Sequence, residues 1–207
     1  MQADLSEPTV ASPPPKKTSH WLRETLVVVL VALAAALLLR TFVVQTFYIP
    51  SGSMEPTLQI GDRILVNKLS YHLHAVGRGD IVVFRRPADE NCGGTPVADL
   101  VKRVIGLPGE TISLSNTSPR GGYVEINGKR LNETWLPSSM QGTTAPGPAG
   151  PVYNLSRPYV IPANDYFVMG DNRTDSCDSR YWGPIPRSLI VGKVDLRVWP
   201  ITHIRIF

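Results

Sequence analysis

Three short segments of this chain carry side chains whose chemistry could be combined. Residues 50–58 read PSGSMEPTL and offer two serine hydroxyls in a Pro/Gly turn. Residues 99–105 read DLVKRVI and place a lysine inside an apolar strand. Residues 169–183 read MGDNRTDSCDSRYWG and are dense in carboxylates and guanidinium groups. A serine becomes a nucleophile when a neighbouring base accepts its proton, and a neutral amine can be that base.

The lysine of the second segment can act as a base only if it is buried. Side chains alternate along a strand, so Leu100, Lys102 and Val104 share one face. Burial disfavours the ammonium, and lowering a lysine pKa from about 10.4 to about 7–8 corresponds to roughly 4 kcal/mol of desolvation. The alternative is an edge strand on which Lys102 and Arg103 both lie in water. The strand taken alone favours the solvated arrangement.

The other two segments also have ordinary structural interpretations. Ser, Gly and Pro are common turn residues, so the sequence Ser51-Gly52-Ser53 alone is weak support for a nucleophile. The third segment could be a solvated loop, although ordered Arg–carboxylate pairs within it could hold a hydroxyl against a catalytic amine. An EF-hand starting at Asp171 is excluded because Trp182 occupies its twelfth position, where calcium binding needs an acidic residue.

Composition excludes several other kinds of site. The 21 Lys+Arg and 17 Asp+Glu residues give a net charge of +4, but the basic residues are scattered, so no nucleic-acid platform is expected. Two cysteines cannot form a four-thiolate zinc site, and none of the 4 histidines stands at a metal-ligand spacing. Hydrophobic residues make up 43% of the chain, which is enough for a full core.

An apolar helix is expected near the N-terminus, where residues 26–39 form an unbroken run of 14 apolar residues. That run alone rises about 21 Å, but a helix over Leu22–Val44 would cross a hydrocarbon core of about 30 Å. Trp21 and Arg40 would then lie at the two interfaces. The sequence therefore predicts a transmembrane anchor over residues 20–44. The alternatives are a cleaved secretory signal, which lacks a clear small-residue cleavage site, and a buried soluble helix, which would need a polar face.

Charges near this helix predict its orientation. Lys16, Lys17 and Arg23 precede the apolar run, whereas only Arg40 follows it closely. The positive-inside rule then places residues 1–19, a proline-rich segment expected to be a flexible tail, in the cytoplasm. The remainder of the chain would lie outside the cytoplasm, where disulfides are stable.

Residues 45–207 are expected to form one extracytoplasmic, mainly antiparallel β domain, because short apolar runs alternate with turn signals and not with amphipathic helices. The turns are marked by four dipeptides: Gly61-Asp62, Gly79-Asp80, Pro108-Gly109 and Asn127-Gly128. Exposed loops are predicted near residues 111–123 and 137–151. The predicted strands are FVVQTFYI, RILVNKLSY, DIVVFR, DLVKRVIGL, TISL, YVEING, YFVMGD and KVDLRVWPI.

Taken together, these segments closely resemble the type I signal peptidases, a family of membrane-bound serine proteases with a Ser-Lys dyad. Four strings occur in the family's order behind an N-terminal apolar segment, and the resemblance covers about residues 20–200. They are SGSMEPTL at 51–58, GDIVVF at 79–84, KRVIGLPG at 102–109 and GDNR…S…DSR at 170–180.

The resemblance implies roles for individual residues. Ser53 would be the nucleophile and Lys102 the general base that takes its proton. Ser51 and the backbone N–H of Ser53 would stabilise the oxyanion. Ser176 would orient Lys102, and Asp178 with Arg180 would support that loop. Replacing Ser53 or Lys102 by Ala should abolish turnover without unfolding the domain.

The resemblance also implies a substrate, a location and the absence of cofactors. The family cleaves signal peptides from secretory preproteins after a small residue, with another small residue two positions earlier. It needs no metal or cofactor, and its β domain touches membrane lipid, which places it at the cell membrane near the secretion translocon. An extended substrate would present alternate side chains to apolar pockets. The candidate pocket residues are Phe47, Ile49, Pro50, Met54, Leu58, Leu100 and Val101.

Cys177, which stands directly beside Ser176, is a departure from the family's pattern. If Ser176 lies near Lys102, then Cys92, ten residues before the lysine, could come within disulfide range of Cys177. Two free thiols are the alternative.

Three other kinds of protein share part of this pattern. A self-cleaving repressor with the same dyad would need a DNA-binding module, for which the first 44 residues leave no room. An organellar inner-membrane peptidase fits the motifs equally well. An inactive membrane-anchored β domain that binds partners is disfavoured because Ser53, Lys102 and Ser176 are all present.

Overall fold

A long helix begins the part of the chain that the structure describes. The computed structural model describes residues 20–90, 92–93, 97–115, 121–147 and 153–207. Contacts divide the chain into two compact units, Met1–Leu39 and Arg40–Phe207. Helix α1, His20–Phe42, includes the predicted apolar run, which contains neither Gly nor Pro to interrupt it. The predicted tail, residues 1–19, lies outside the described residues, and so does the side chain of Arg40. Residues 116–120 and 148–151 of the two predicted loops also lie outside them.

The transmembrane prediction for this helix is not supported. No helix among the described residues is both long enough and apolar enough to cross a membrane. The uninterrupted apolar run of α1 has only 14 residues, which rise about 21 Å.

The second unit is mainly β, as predicted, and every pairing between its described strands is antiparallel. Two further helices of one turn each are present, α2 Ser70–Leu73 and α3 Ser179–Trp182. The strands within the described residues are β1 Val44–Tyr48, β2 Arg63–Asn67, β3 Ile81–Arg85, β4 Asp99–Gly106, β5 Thr111–Leu114, β6 Val124–Ile126, β7 Lys129–Arg130, β8 Tyr159–Val160, β9 Asp165–Met169, β10 Ile185–Pro186, β11 Ile190–Trp199 and β12 Arg205–Ile206.

The larger sheet positions the candidate residues. Its described strands run in the order β1-β2-β11-β3-β4-β9-β10, with β12 added to β11. Both faces of β3 are buried because alternate side chains enter different core clusters, Val82 and Phe84 on one face and Ile81 and Val83 on the other. In register with β3, the neighbouring strand β4 sets Lys102 opposite Val82. The lysine is thereby fixed in the middle of the sheet.

A smaller sheet, in the order β7-β6-β5-β8, covers a third core cluster that includes Ile105 and Phe167. It corrects the predicted loop at 111–123, since residues 111–114 form β5. The loop predicted at 137–151 is also not wholly exposed, because Thr144 is buried.

The turn predictions are confirmed, whereas one strand is shorter than expected. Gly61, Gly79, Gly109, Asn127 and Gly128 all have positive φ, which Gly and Asn adopt readily. The predicted strand at 63–71 ends at Asn67. The Asn67 side chain accepts hydrogen bonds from the N–H groups of Leu69 and Ser70, and this local turn starts α2.

Candidate active site

Ser53 and Lys102 meet directly. The Lys102 Nζ lies 2.6 Å from the Ser53 Oγ, although the two residues are 49 positions apart in the chain. Ser53 lies in a short 3₁₀ turn, Gly52–Met54, that follows β1, and Lys102 projects from the centre of β4. The structure thus brings together the two residues that the sequence assigned to the dyad.

Lys102 is buried, and burial changes its acid–base chemistry. Its side chain is among the buried charged groups of the sheet, with a relative exposure of 4%. Desolvation by burial lowers the pKa of Lys102 from 10.5 to about 8, while the negative charge of Asp178 opposes this shift. A neutral amine within hydrogen-bond distance of a hydroxyl can accept its proton near neutral pH.

Ser51 stands at the entrance of the 3₁₀ turn and is exposed. Its side chain makes no capping hydrogen bond to the turn, and its Oγ lies 3.5 Å from the Ser53 Oγ. The Ser51 hydroxyl is therefore close to the Ser53 hydroxyl and is not engaged in capping the turn.

The segment after β9 holds the backbone of the Ser53 turn. Asn172 donates from its N–H to the Ser53 carbonyl at 3.1 Å and from its Nδ2 to the Gly52 carbonyl at 3.2 Å. Gly170 lies so close to the Ser53 carbonyl and the Ser176 side chain that a Cβ at this position would overlap both. Glycine is required here by close approach of the backbone, which brings Ser53 and Ser176 to the same place.

Ser176 is buried beside this glycine. Among the residues that the structure describes, its Oγ has no hydrogen-bond partner, and this includes Lys102. The Nζ of Lys102 instead donates to Ser53. A buried hydroxyl without a partner is unfavourable, so Ser176 retains an unused capacity to bond.

Asp178 and Arg180 form a buried bidentate ion pair. The Arg180 Nε and Nη2 lie 2.8 Å from the two carboxylate oxygens of Asp178. Burial acts to raise the pKa of Asp178, but the charge and hydrogen bonds of Arg180 and the Gly170 N–H keep that pKa below its ordinary value. Arg180 also donates to the carbonyls of Arg173 and Ser176, so the pair fixes the backbone of its own loop.

Two further buried ion pairs join the same loop to the rest of the fold. Arg103 on β4 binds both carboxylate oxygens of Asp171, at 2.8 and 2.6 Å. Arg173 binds Glu133 and also donates to the buried Thr144. Sequence reasoning expected Arg–carboxylate pairs within the loop, but it missed these partners because they come from distant segments. The adjacent cations Lys102 and Arg103 could have indicated that Arg103 has a partner of its own, since alternation sends the two side chains to opposite faces of β4.

An apolar cleft of about 340 Å³ lies beside the dyad. Six of the seven predicted pocket residues line it, and the seventh, Leu58, lies in the buried core cluster that also contains Met54 and Val101. The cleft residues are Phe47, Tyr48, Ile49, Pro50, Ser51, Ser53, Met54, Val97, Ala98, Asp99, Leu100, Val101 and Lys102.

Cys92 and Cys177 form a disulfide with a Cα–Cα distance of 6.2 Å. It connects the segment before β4 with the loop that carries Ser176. Glu90 lies beside it, with its Oε1 at 3.8 Å from the Cys177 sulfur. These three side chains form a close group of potential metal-ligand atoms, but both sulfurs are engaged in the disulfide.

The assembled groups can perform acyl transfer. A hydroxyl nucleophile, a buried amine, a second hydroxyl positioned near the nucleophile and an adjacent apolar cleft together meet the geometric requirements for attack on an extended peptide.

Comparisons with known proteins identify a family. The model of a family described as "Signal peptidase, peptidase S26" matches residues 22–199. The chain is 37% identical over 212 residues to Signal peptidase I of Leptolyngbya laminosa, covering 99% of this chain and 96% of that protein. It is 40% identical over 191 residues to Probable signal peptidase I-2 of Synechocystis sp., covering 92% and 78%. A crystal structure of a signal peptidase I from Enterococcus faecalis V583 matches 58% of this chain and 97% of that chain, with 29% identity and a TM-score of 0.41.

Proposed function

Because this chain belongs to the signal peptidase family, peptidase S26, we propose that it removes signal peptides from secretory preproteins with a Ser53–Lys102 dyad. The observation that carries this proposal is the 2.6 Å contact between the Lys102 Nζ and the Ser53 Oγ. The burial of Lys102 supports the same assignment, because it lowers the pKa from 10.5 to about 8 and so raises the neutral fraction of the amine near neutral pH far above that of a solvated lysine.

The reaction begins with attack of the Ser53 Oγ on the carbonyl carbon of the scissile bond. The Oγ–H proton passes to the neutral Lys102 Nζ, and the carbonyl becomes an oxyanion. Collapse of the tetrahedral intermediate breaks the C–N bond, and the Lys102 ammonium returns the proton to the departing amine. Lys102 then deprotonates a water molecule that hydrolyses the acyl-enzyme and restores the Ser53 hydroxyl.

The oxyanion is stabilised by the Ser51 hydroxyl and the backbone N–H of Ser53. The Ser51 side chain supports this role because it does not cap the turn and lies 3.5 Å from the nucleophile. A preorganised donor of this kind lowers the barrier of acyl transfer by about 3 kcal/mol.

Ser176 orients Lys102 during the cycle. When Ser53 has become an ester, its oxygen no longer offers the same acceptor to the lysine, and the unpartnered Ser176 hydroxyl takes its place. Asp178 and Arg180 act through Ser176 by holding the backbone of its loop.

Substrates carry small residues at the cleavage site because the cleft walls are already filled by apolar side chains. Phe47, Ile49 and Val101 pack in one cluster and line the cleft, so their side chains would restrict the substrate to small residues there. The extended substrate adds as a strand to the cleft.

The domain works against membrane lipid outside the cytoplasm. Large apolar side chains are exposed where β1, β2 and β11 end together, since Tyr48 and Trp199 both pair with Arg63. Trp199 is 51% exposed and Ile201 69% exposed, and Tyr48 ends the strand that leads to the turn carrying Ser53. The disulfide agrees with an oxidising compartment.

Cleavage of a purified preprotein by the detergent-solubilised full chain tests the proposal. We expect the wild type and Lys129→Ala, which changes an exposed lysine of β7, to release mature protein. Ser53→Ala and Lys102→Ala should lose the activity while keeping the circular dichroism spectrum. Cleavage by Lys102→Ala at the wild-type rate would contradict the dyad, and no cleavage by the wild type would contradict the function.

A further inference from the structure

The backbone of Ser53 is held on both sides by one residue, Asn172. Its backbone N–H donates to the Ser53 carbonyl at 3.1 Å, and its side-chain Nδ2 donates to the Gly52 carbonyl at 3.2 Å. A carbonyl oxygen can only accept, so the nitrogen of the side-chain amide must face it. The Oδ1 of the same amide accepts a hydrogen bond from the Thr174 hydroxyl at 3.3 Å, which agrees with this orientation.

The Gly52 carbonyl belongs to the same peptide group as the Ser53 N–H. A trans peptide group is planar, and its C=O and N–H bonds point in opposite directions, so fixing the carbonyl also fixes the direction of the N–H. The Glu55 N–H donates to this carbonyl as well, at 3.0 Å. Donation to the carbonyl also polarises the amide and strengthens its N–H as a donor. The Ser53 N–H itself donates to no residue that the structure describes, so it is free to meet a substrate.

Asn172 is itself held firmly in place. The residues before and after it are both buried and ion-paired, Asp171 with Arg103 of β4 and Arg173 with Glu133. The half-buried side chain of Asn172 therefore starts from a backbone that is fixed on both sides. Such support is needed by a group that must keep its geometry before the substrate arrives.

We propose that Asn172 is a positioning residue for the oxyanion, because its Nδ2 holds the Gly52–Ser53 peptide group with the Ser53 N–H aimed at the developing negative charge. This inference rests on the proposed function, in which that N–H is an oxyanion donor. Asn172 acts through the peptide group and does not touch the substrate. Loss of a complete oxyanion donor lowers kcat by about 10²–10³-fold. Loss of the Asn172 side chain should cost less, about tenfold, since the Glu55 N–H still holds the carbonyl.

Kinetics of preprotein cleavage by the detergent-solubilised full chain test the proposal. Asn172→Ala keeps the backbone bond to Ser53 and removes the bond from Nδ2. We expect kcat to fall about tenfold with KM nearly unchanged, because the oxyanion develops only in the transition state. Asn172→Asp has the same shape but cannot donate as a carboxylate, and it should lose at least as much. Asn132→Ala makes the same change at an exposed asparagine that does not line the cleft, and it should keep the wild-type kcat.

A peptide aldehyde separates positioning of the oxyanion from damage to the fold. The Ser53 Oγ adds to the aldehyde carbon, the hydroxyl proton passes to Lys102, and the aldehyde oxygen becomes the oxyanion. We expect the inhibition constant to weaken in Asn172→Ala by the same factor as kcat/KM. A variant that is only partly folded would also lose kcat, but its folded fraction would bind the aldehyde as the wild type does. The apparent pKa of kcat/KM should not move, because the substitution leaves the burial of Lys102 unchanged.

The outcomes separate this inference from the proposed function. The positioning role is overturned if kcat and the aldehyde inhibition constant of Asn172→Ala both stay within about twofold of the wild type. It is also overturned if kcat falls while the aldehyde binds as tightly as before. If the wild type does not cleave the preprotein, the proposed function is contradicted. Aldehyde binding that is weakened in Asn172→Ala would still support the positioning role in that case.

Discussion

On one side of Ser53 the cleft is formed by apolar side chains of β1 and β4 and by edges of these strands that lack partner strands in the described chain, here called the apolar wall. On the other side is the segment 170–180, the polar wall, where Arg173, Asp178 and Arg180 are almost wholly buried and each is ion-paired. The apolar wall has unused main-chain hydrogen-bonding capacity, whereas nearly every charge of the polar wall is satisfied within the protein.

The difference separates two tasks that one active site must perform. A substrate can form new hydrogen bonds only where the protein has left donors and acceptors free, which is the condition of the apolar wall. Catalytic groups must keep their geometry before substrate arrives, and bidentate buried pairs provide this on the polar wall. Lys102 lies where the two meet and is desolvated by its burial.

An Asp→Asn substitution should lower the free energy of unfolding much more on the polar wall than on the apolar wall, and this is the largest difference that we expect. Asp178→Asn leaves Arg180 buried without a counter-charge, so we expect a loss of about 3–5 kcal/mol in the free energy of unfolding. Asp99→Asn changes a half-buried carboxylate of the cleft that pairs with no described side chain, so it should change the free energy of unfolding by less than about 0.5 kcal/mol. Urea denaturation of both variants provides the comparison. Equal losses would show that the walls do not differ in this way.

The disulfide connects the polar wall to the segment that precedes β4, and removing it should lower the free energy of unfolding by a similar amount. It closes a loop with a sequence separation of 85 residues. In the chain-entropy account, a loop of this length contributes about 4 kcal/mol to stability. The double variant Cys92→Ser, Cys177→Ser should therefore unfold at lower urea concentration than the oxidised wild type. Wild type treated with a thiol reductant is the control and should match the variant; no shift in either would contradict the account.

Gly170→Ala should damage the site more than it damages the fold. A methyl group here displaces the Ser53 carbonyl or the Ser176 side chain, and a displacement of about 1 Å reduces activity by about a hundredfold. We expect kcat/KM to fall by that amount, with a normal disulfide and normal near-ultraviolet circular dichroism. Gly128→Ala is the comparison: its positive φ strains the backbone, but no atom within 4 Å is displaced, so this variant should retain most of the activity. Full activity of Gly170→Ala would refute the close approach.

Lys102→Met should stabilise the protein. The folded-state pKa of about 8 lies below the ordinary 10.5, so at pH 7 the folded protein carries a buried ammonium that the unfolded chain carries in water. Removing it should raise the free energy of unfolding by about 2 kcal/mol after the lost hydrogen bond to Ser53 is subtracted. The advantage should shrink as pH rises from 8 towards 10.5, where the wild-type amine is neutral in the folded state. Destabilisation at pH 7 would mean that the burial of Lys102 is not unfavourable.

Much of this arrangement could be predicted from the sequence, because the signals were local. The turns at Gly79 and Asn127-Gly128 follow from backbone preferences of single residues. Each predicted strand segment contains a strand, since alternating or continuous apolar runs report which faces are buried. Family membership was predicted from four motifs and is confirmed by the family match.

The remainder depends on contacts that no local pattern contains. Glu133 becomes the partner of Arg173 only through the tertiary fold, and the two-residue strands of the described chain exist only because longer strands pair with them. Alternation placed Lys102 and Arg103 on different faces but could not say that both would be buried. The transmembrane prediction relied on extending a 14-residue run through flanking residues, and the structure does not support it.

The pH dependence of cleavage tests the central claim most directly. With a quenched fluorescent peptide that carries alanine on the acyl side of the cleaved bond, under conditions where chemistry limits the rate, kcat/KM of the wild type should rise from pH 6 and level off above an apparent pKa of about 8. That is the value expected if Lys102 must be neutral to accept the Ser53 proton. A rate that stays flat from pH 6 to pH 9, in protein shown to remain folded over that range, would contradict the assignment of Lys102 as the base.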